Sequence, residues 1–354
     1  MKIGLIGCGR VAGIHMHAYA SIHGAEVVAV ADIDIERAKA FAKTYRISKA
    51  YRDHSDLLEM KDLDFVDICT PTSTHPSIAC DAARSGRDIL LEKPMALNTS
   101  DCERMISESE KNGVRFCVCH NQLFAPSVMQ ARSLVGSESF DLTSFKTVHK
   151  ENFELLRAMG LANDWNVTAE QKGVLWEVGC HHAYLQLHFL PNISEVYAMG
   201  SKVRYPVYDE FTVLLRTPNR QYGVMDISWL ATEAEMTYEF CGSDGRRVQI
   251  DLDHEYLTEK SQRPPYSIGD AVRGAYVDEK RVLKKWMQFG VNYLRKRKML
   301  SHVNLIGNFV ESLEKDDPPP VSPEDGRNAI RLLECIEKSL DEKRPVPVSR
   351  QEEI

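Results

Sequence analysis

The chain lacks the basic excess of a nucleic-acid-binding protein: 44 Lys and Arg stand against 51 Asp and Glu, a net charge of −7 over 354 residues. Phosphate backbones are held by clustered cations, so nucleic acid is excluded as the main partner. No stretch approaches eighteen uncharged apolar residues, which excludes a transmembrane helix. The first apolar run, Ile3 to Cys8, is too short for the core of a signal peptide and ends in Gly9-Arg10. The nine cysteines include no C-x-x-C pair, and their number is odd. Reduced, buried thiols in a cytoplasmic protein are expected, not a disulfide framework. Internal repeats and low-complexity segments are also missing. What remains is an ordinary globular mixture, 43% hydrophobic and 27% charged, at a length that suits about two domains.

From residue 1 to 121, short Val- and Ile-rich runs alternate with helical patterns, the rhythm of β-α units that build a parallel sheet. Strands are expected at Lys2 to Ile6, Glu26 to Ala31, Phe65 to Cys69, Asp88 to Leu91 and Arg115 to Cys119. Helices are expected near Val11 to His23, Ile35 to Tyr45, His75 to Ser85 and Ser100 to Asn112. The predicted fold class is therefore α/β, a doubly wound Rossmann domain over 1–121. Two-residue alternation then appears at Ser144 to His149, Glu210 to Leu215, Gln221 to Ser228, Met236 to Cys241 and Arg247 to Ile250. With turn signals between the later runs, 122–354 reads as an α+β domain with a largely antiparallel sheet. Helical patterns at about His302 to Leu313 and Glu324 to Lys343 flank Pro318-Pro319-Pro320.

Gly7-Cys8-Gly9-Arg10-Val11-Ala12 is G-x-G-x-x-A at the junction of the first strand and first helix. Gly7 permits the tight turn, Gly9 allows the backbone to approach a pyrophosphate, and Ala12 lets the helix lie close on the strand. The helix N-terminus offers N–H groups and a positive dipole end to phosphates. Asp32, twenty residues beyond Ala12 at the end of the second strand, suits the ribose hydroxyls of an adenosine and repels a 2′-phosphate. NAD is expected, with NADP as the alternative should Arg37 swing across. Thr70-Pro71-Thr72 and Glu92-Lys93-Pro94 follow strands at their carboxyl ends, where ligands of open α/β sheets bind.

These residues resemble the glucose-fructose oxidoreductase, inositol dehydrogenase and rhizopine catabolism (Gfo/Idh/MocA) family, whose marker is a Glu-Lys-Pro tripeptide in this place. The resemblance includes Gly7 to Ala12, Asp32, Thr70 to His75, Glu92 to Pro94 and Asn121 through Pro126, and continues at Gly173 to His181, Ser322 to Gly326 and Arg344 to Val346. It implies cofactor contacts from Gly7, Gly9, Arg10, Val11, Ala12, Asp32, Thr70, Pro71, Thr72, His75, Glu92, Lys93 and Asn121. It also implies that Lys93 stands beside the nicotinamide and the substrate hydroxyl, with a cis Lys93-Pro94 bond. The family's second signature, an acid and a histidine four residues apart on one helix, matches Glu177 and His181. His181 is then the general base and Glu177 its partner. The match departs from the family where Glu177 replaces the usual Asp, Tyr184 stands where another Asp is common, and Gln122 takes the place of a frequent Arg.

Trp165, in a loop with Asn163-Asp164, and Tyr184 complete the expected substrate contacts. A zinc reading of Glu177, Cys180, His181 and His182 is set aside because adjacent histidines diverge by about 100 degrees on a helix, and no metal is expected. The resemblance implies an NAD-dependent oxidoreductase acting on a secondary alcohol of a sugar, cyclitol or nucleotide-sugar, assembled as a homodimer or homotetramer. The alternative is a non-catalytic dinucleotide- and sugar-binding regulator of the same fold. Residues 271–300 carry nine basic against two acidic side chains, with Val282, Trp286, Phe289 and Tyr293 at helical spacing. The segment reads as a basic amphipathic helix that packs on the second domain, or that meets an anionic substrate, an acidic neighbour or a membrane surface.

Overall fold

The computed structural model describes residues 1–137, 139–162, 164–253, 256–260 and 300–348. By contacts the chain divides into two compact units. The described residues of Met1–Phe124 and Met299–Glu334 form one, and those of Ala125–Lys298 and Cys335–Ile354 the other. The expected boundary at 121/122 lies near the first crossing. The helical stretch 300–334, assigned by sequence to the second domain, instead belongs to the first unit. Its apolar face explains the difference: Leu305, Ile306, Phe309 and Val310 are buried, and Phe309 meets Phe65 edge-on at 5.3 Å.

The first unit is a six-stranded parallel sheet built from β1 (Lys2–Ile6), β2 (Glu26–Ala31), β3 (Lys49–Tyr51), β4 (Phe65–Ile68), β5 (Asp88–Leu91) and β6 (Phe116–Val118). Its order, β3-β2-β1-β4-β5-β6, is the doubly wound arrangement with its reversal between β1 and β4. Of the five expected strands, β1, β2 and β5 match their predicted ends, β4 ends one residue earlier, and β6 is one residue shorter at each end. β3 and the short helix His54–Leu58 were missed, because three residues give too little alternation to read. The crossover helices are α1 (Arg10–Tyr19), α2 (Ile35–Tyr45), α3 (His54–Leu58), α4 (His75–Arg84) and α5 (Thr99–Asn112). Asp34 caps α2 by accepting the amides of Glu36 and Arg37, and Asn98 caps α5 by accepting that of Asp101.

The second unit carries an eight-stranded mixed sheet. Its strands include β7 (Leu142–Asn152), β8 (Glu195–Ser201), β9 (Glu210–Arg216), β10 (Tyr222–Ser228), β11 (Leu230–Gly242) and β12 (Arg247–Asp251). The order is β13-β12-β11-β7-β10-β9-β8-β14, with β13 at Tyr256–Lys260 and β14 at Val346–Pro347. All pairs are antiparallel except β7 with β10. β9 reads Glu-Phe-Thr-Val-Leu-Leu-Arg and buries every second residue, so one sheet face is covered and the other open. The covered face receives the helix Gly179–Phe189, whose Gln186 amide donates to the Phe145 and Val224 carbonyls. The basic segment, apart from Leu300, lies outside the described residues.

Candidate active site

Three loops leave the carboxyl ends of β1, β4 and β5 on either side of the strand-order reversal. After β1, Gly7 adopts φ +92°, and a Cβ there would come within 2.6 Å of the Cys69 carbonyl oxygen. Only glycine fits. At Gly9, by contrast, an added Cβ would meet nothing within 4 Å, so the backbone is open on the side a pyrophosphate needs. Gly9 caps α1 without a side-chain hydrogen bond, which leaves the first amides of the helix to an anion. Ala12 is fully buried, as close helix-to-sheet packing demands, whereas Arg10 is exposed and Val11 half-buried.

Asp32, at the end of β2, accepts the Cys8 amide at 2.9 Å on one carboxylate oxygen and the Asp34 amide at 2.9 Å on the other. Arg37 stands 3.6 Å from Asp32 and 3.3 Å from Asp34, so its guanidinium is held by two acids. The donor set therefore fits a dinucleotide with an unmodified adenosine ribose.

Thr70, Pro71 and Thr72 form the loop after β4, tightened by hydrogen bonds from the Thr74 hydroxyl to Thr70 Oγ1 and the Pro71 carbonyl. His75 is fully buried, with its ring nitrogens 2.9 Å from the Thr70 carbonyl and 3.0 Å from that of Pro94. It ties the β4 and β5 loops together and presents no ring atom outward. Burial pulls its pKa below the ordinary imidazole value, against the hydrogen bonds that raise it.

After β5, the Lys93–Pro94 peptide is cis, as the family resemblance implies. Glu92 is buried. One carboxylate oxygen accepts the Lys93 amide at 3.1 Å, and the other lies 2.9 Å from His15 Nε2. Burial opposes ionisation of Glu92, but the hydrogen bond and charge of His15 outweigh it and hold the carboxyl down to about 2. Asn121, nearly buried after β6, donates to the Ser301 hydroxyl at 3.3 Å.

The second unit carries the other expected residues. Glu177 and His181 do not share one helix: Gly173–Glu177 ends at Val178, whose amide bonds to the Val174 carbonyl, and a new helix starts at Gly179. Val178 keeps right-handed helical dihedrals at this break, φ −97° and ψ −44°. His181 Nδ1 lies 2.7 Å from the hydroxyl of buried Tyr184, a contact that restrains the ring. Trp165 falls in a short 3-10 turn, Asp164–Val167, and its side chain, like Asn163, lies outside the described residues.

Sequence reading missed the groups around Glu92: its buried partner His15, the buried Asp67 that His15 also meets, buried Cys119 and half-buried His302. The signal was there in part, since Asp67 interrupts the apolar run Phe65-Val66-Asp67-Ile68, where a charged side chain needs a partner.

The profile described as "Oxidoreductase family, NAD-binding Rossmann fold" matches residues 1–120, and that of the GFO/IDH/MocA C-terminal domain matches 130–248. A myo-inositol 2-dehydrogenase of Thermotoga maritima is 25% identical over 98% of both chains. A D-apiose dehydrogenase of Paraburkholderia graminis is 26% identical over 99% of this chain and 90% of its own. Among solved structures, the WlbA dehydrogenase of Bordetella pertussis, in complex with NADH and UDP-GlcNAcA, superposes with a TM-score of 0.82 at 21% identity. That match covers 99% of this chain and 98% of the other.

Proposed function

This chain belongs to the Gfo/Idh/MocA family of NAD-binding oxidoreductases, and on that premise we propose that it oxidises a secondary alcohol of a sugar, cyclitol or sugar derivative. The observation that carries the reading is the placement of Lys93 two residues beyond β5, beside the switch point, with its amide fixed by Glu92. NAD, when bound, supplies the acceptor for the hydride.

The residues of this chain do the rest. Gly7, Gly9 and the first turn of α1 receive the phosphates, and Asp32 accepts hydrogen bonds from the adenosine ribose. Thr70, Pro71 and Thr72 border the path toward Lys93. The Lys93 ammonium stabilises the substrate oxygen as negative charge develops on it, and His181 takes the hydroxyl proton. The Tyr184 hydroxyl holds the direction of the His181 ring. Glu177 serves as a polar contact to substrate. Relatives named for myo-inositol and D-apiose support a polyhydroxylated substrate.

The open face of the second-unit sheet supports a homo-oligomer. Leu214, 50% exposed, pairs across the sheet with Tyr197 and Val224, and Met199 and Tyr222 extend the apolar area. All nine cysteines are reduced and six are buried, which supports a reducing compartment such as the cytoplasm. No helix among the described residues is long and apolar enough to cross a membrane.

Incubating the protein with NAD and a panel of polyols, free sugars and nucleotide-sugars while following NADH absorbance tests the reading. Turnover on at least one member is expected. NAD binding with no turnover on any member would leave a non-catalytic binding protein.

A further inference from the structure

Beneath the Glu92-Lys93 turn lies a chain of charged groups that the reaction outlined above does not touch. His15, fully buried on the inner face of α1, places Nδ1 2.8 Å from the Asp67 carboxylate and Nε2 2.9 Å from the Glu92 carboxylate. The Tyr19 hydroxyl donates to the same Asp67 oxygen at 2.7 Å. The second Glu92 oxygen accepts the Lys93 amide. An unbroken line thus runs Tyr19, Asp67, His15, Glu92, Lys93, through α1, β4 and the end of β5.

We propose that His15 is a positioning residue for Lys93, acting through the Glu92 carboxylate. This inference rests on the dehydrogenase reading of Lys93.

Hydrogen-bond chemistry fixes the state of the ring. A neutral imidazole has one N–H and one lone pair, and the lone pair would then face a carboxylate oxygen, which has no proton to give. Only the doubly protonated ring donates to both acids. Burial alone would oppose that charge, but the Asp67 carboxylate and the neighbouring groups lift the pKa of His15 well above the ordinary value. Formal charges then alternate along the line, with Asp67 and Glu92 negative and His15 and Lys93 positive, so each buried ion has an opposite neighbour.

The arrangement gives Glu92 a fixed direction. Held on one oxygen by α1, its other oxygen holds the Lys93 amide, and the lysine leaves β5 at a set angle. The further groups that face His15 are Cys69, whose thiol is 3.5 Å from Nδ1, Cys119, and the His302 ring at 5.6 Å. Burial pushes the Cys119 thiol pKa up and pulls that of His302 down to about 4, so both are neutral at pH 7 and leave His15 as the cation of the cluster. One donor atom each from His15, Glu92, Cys119 and His302 lies within 4.8 Å of the others, so the same groups would ligate a cation were His15 neutral. The test separates these states.

Nitrogen-15 NMR of histidine-labelled full-length protein reads the ring directly. The His15 resonance, assigned by its loss in His15→Gln, should show both nitrogens protonated at about pH 8, above the ordinary imidazole range. In steady-state kinetics on an alcohol that the wild type turns over, His15→Gln should lower kcat roughly tenfold to a hundredfold with NAD affinity unchanged. Asp67→Asn, a milder change should His15→Gln fold poorly, should give the same pattern with a smaller loss. A singly protonated ring at that pH, stoichiometric metal bound by the tetrad in elemental analysis, or kcat unaltered in folded variants would overturn the proposal. A wild type without turnover on any alcohol would instead overturn the dehydrogenase reading, and this inference with it.

Discussion

The Cys8 amide donates to the Asp32 carboxylate at 2.9 Å, so the loop proposed to receive the phosphates and the acid proposed to receive the ribose are locked to each other. The bond sets the acid's direction and leaves lone pairs for a ligand.

Replacing that carboxylate should change the preferred cofactor. In Asp32→Ser, the charge that repels a 2′-phosphate is gone, and Arg37, 3.6 Å away, loses one of its two acids. The ratio of kcat/KM for NAD over NADP should fall by roughly tenfold or more, about 1.4 kcal/mol. Steady-state kinetics with both cofactors checks it.

Gly7→Ala places a Cβ 2.6 Å from the Cys69 carbonyl oxygen in a backbone region with φ +92°. The cost should be about 1–3 kcal/mol of stability, with weakened NAD binding. Urea denaturation and calorimetric titration measure the two effects.

Acid stability should depend on His182. The ring is fully buried, neither nitrogen has a hydrogen-bond partner among the described residues, and the ring of His149 lies 5.5 Å away. Burial, then His149, pull its pKa well below the ordinary 6.5. The unfolded chain therefore takes up this proton first, so stability is full above about pH 6.5 and declines as pH falls below it, by up to about 1.4 kcal/mol per pH unit. His182→Leu should flatten that slope in denaturation curves collected across this range.

Leu214→Asp introduces a charge at the centre of the open sheet face. The account expects a smaller species in light scattering, with the secondary structure of the wild type retained. An unchanged mass would place the interface elsewhere.

Much of the first unit was legible because each β-α unit writes two periods and its own punctuation. The run Lys2-Ile3-Gly4-Leu5-Ile6, then Gly7 to Ala12, then Asp32, names a strand, a turn, a helix and an acid in order. The break at Val178 between Glu177 and His181 was not legible, because spacing alone does not mark a one-residue interruption of a helix. His15 went unnoticed for a different reason. Its role comes from Asp67 and Glu92, which lie 52 and 77 residues away, and no local pattern carries such a contact. The return of 300–334 to the first unit was invisible on the same ground.

The most direct test of the central claim is the rate of NADH formation by Lys93→Ala on a substrate of the wild type, with NAD affinity measured separately. The account predicts a loss in kcat of roughly 10²–10⁴-fold with the cofactor still bound. A variant that retains near wild-type turnover would contradict it.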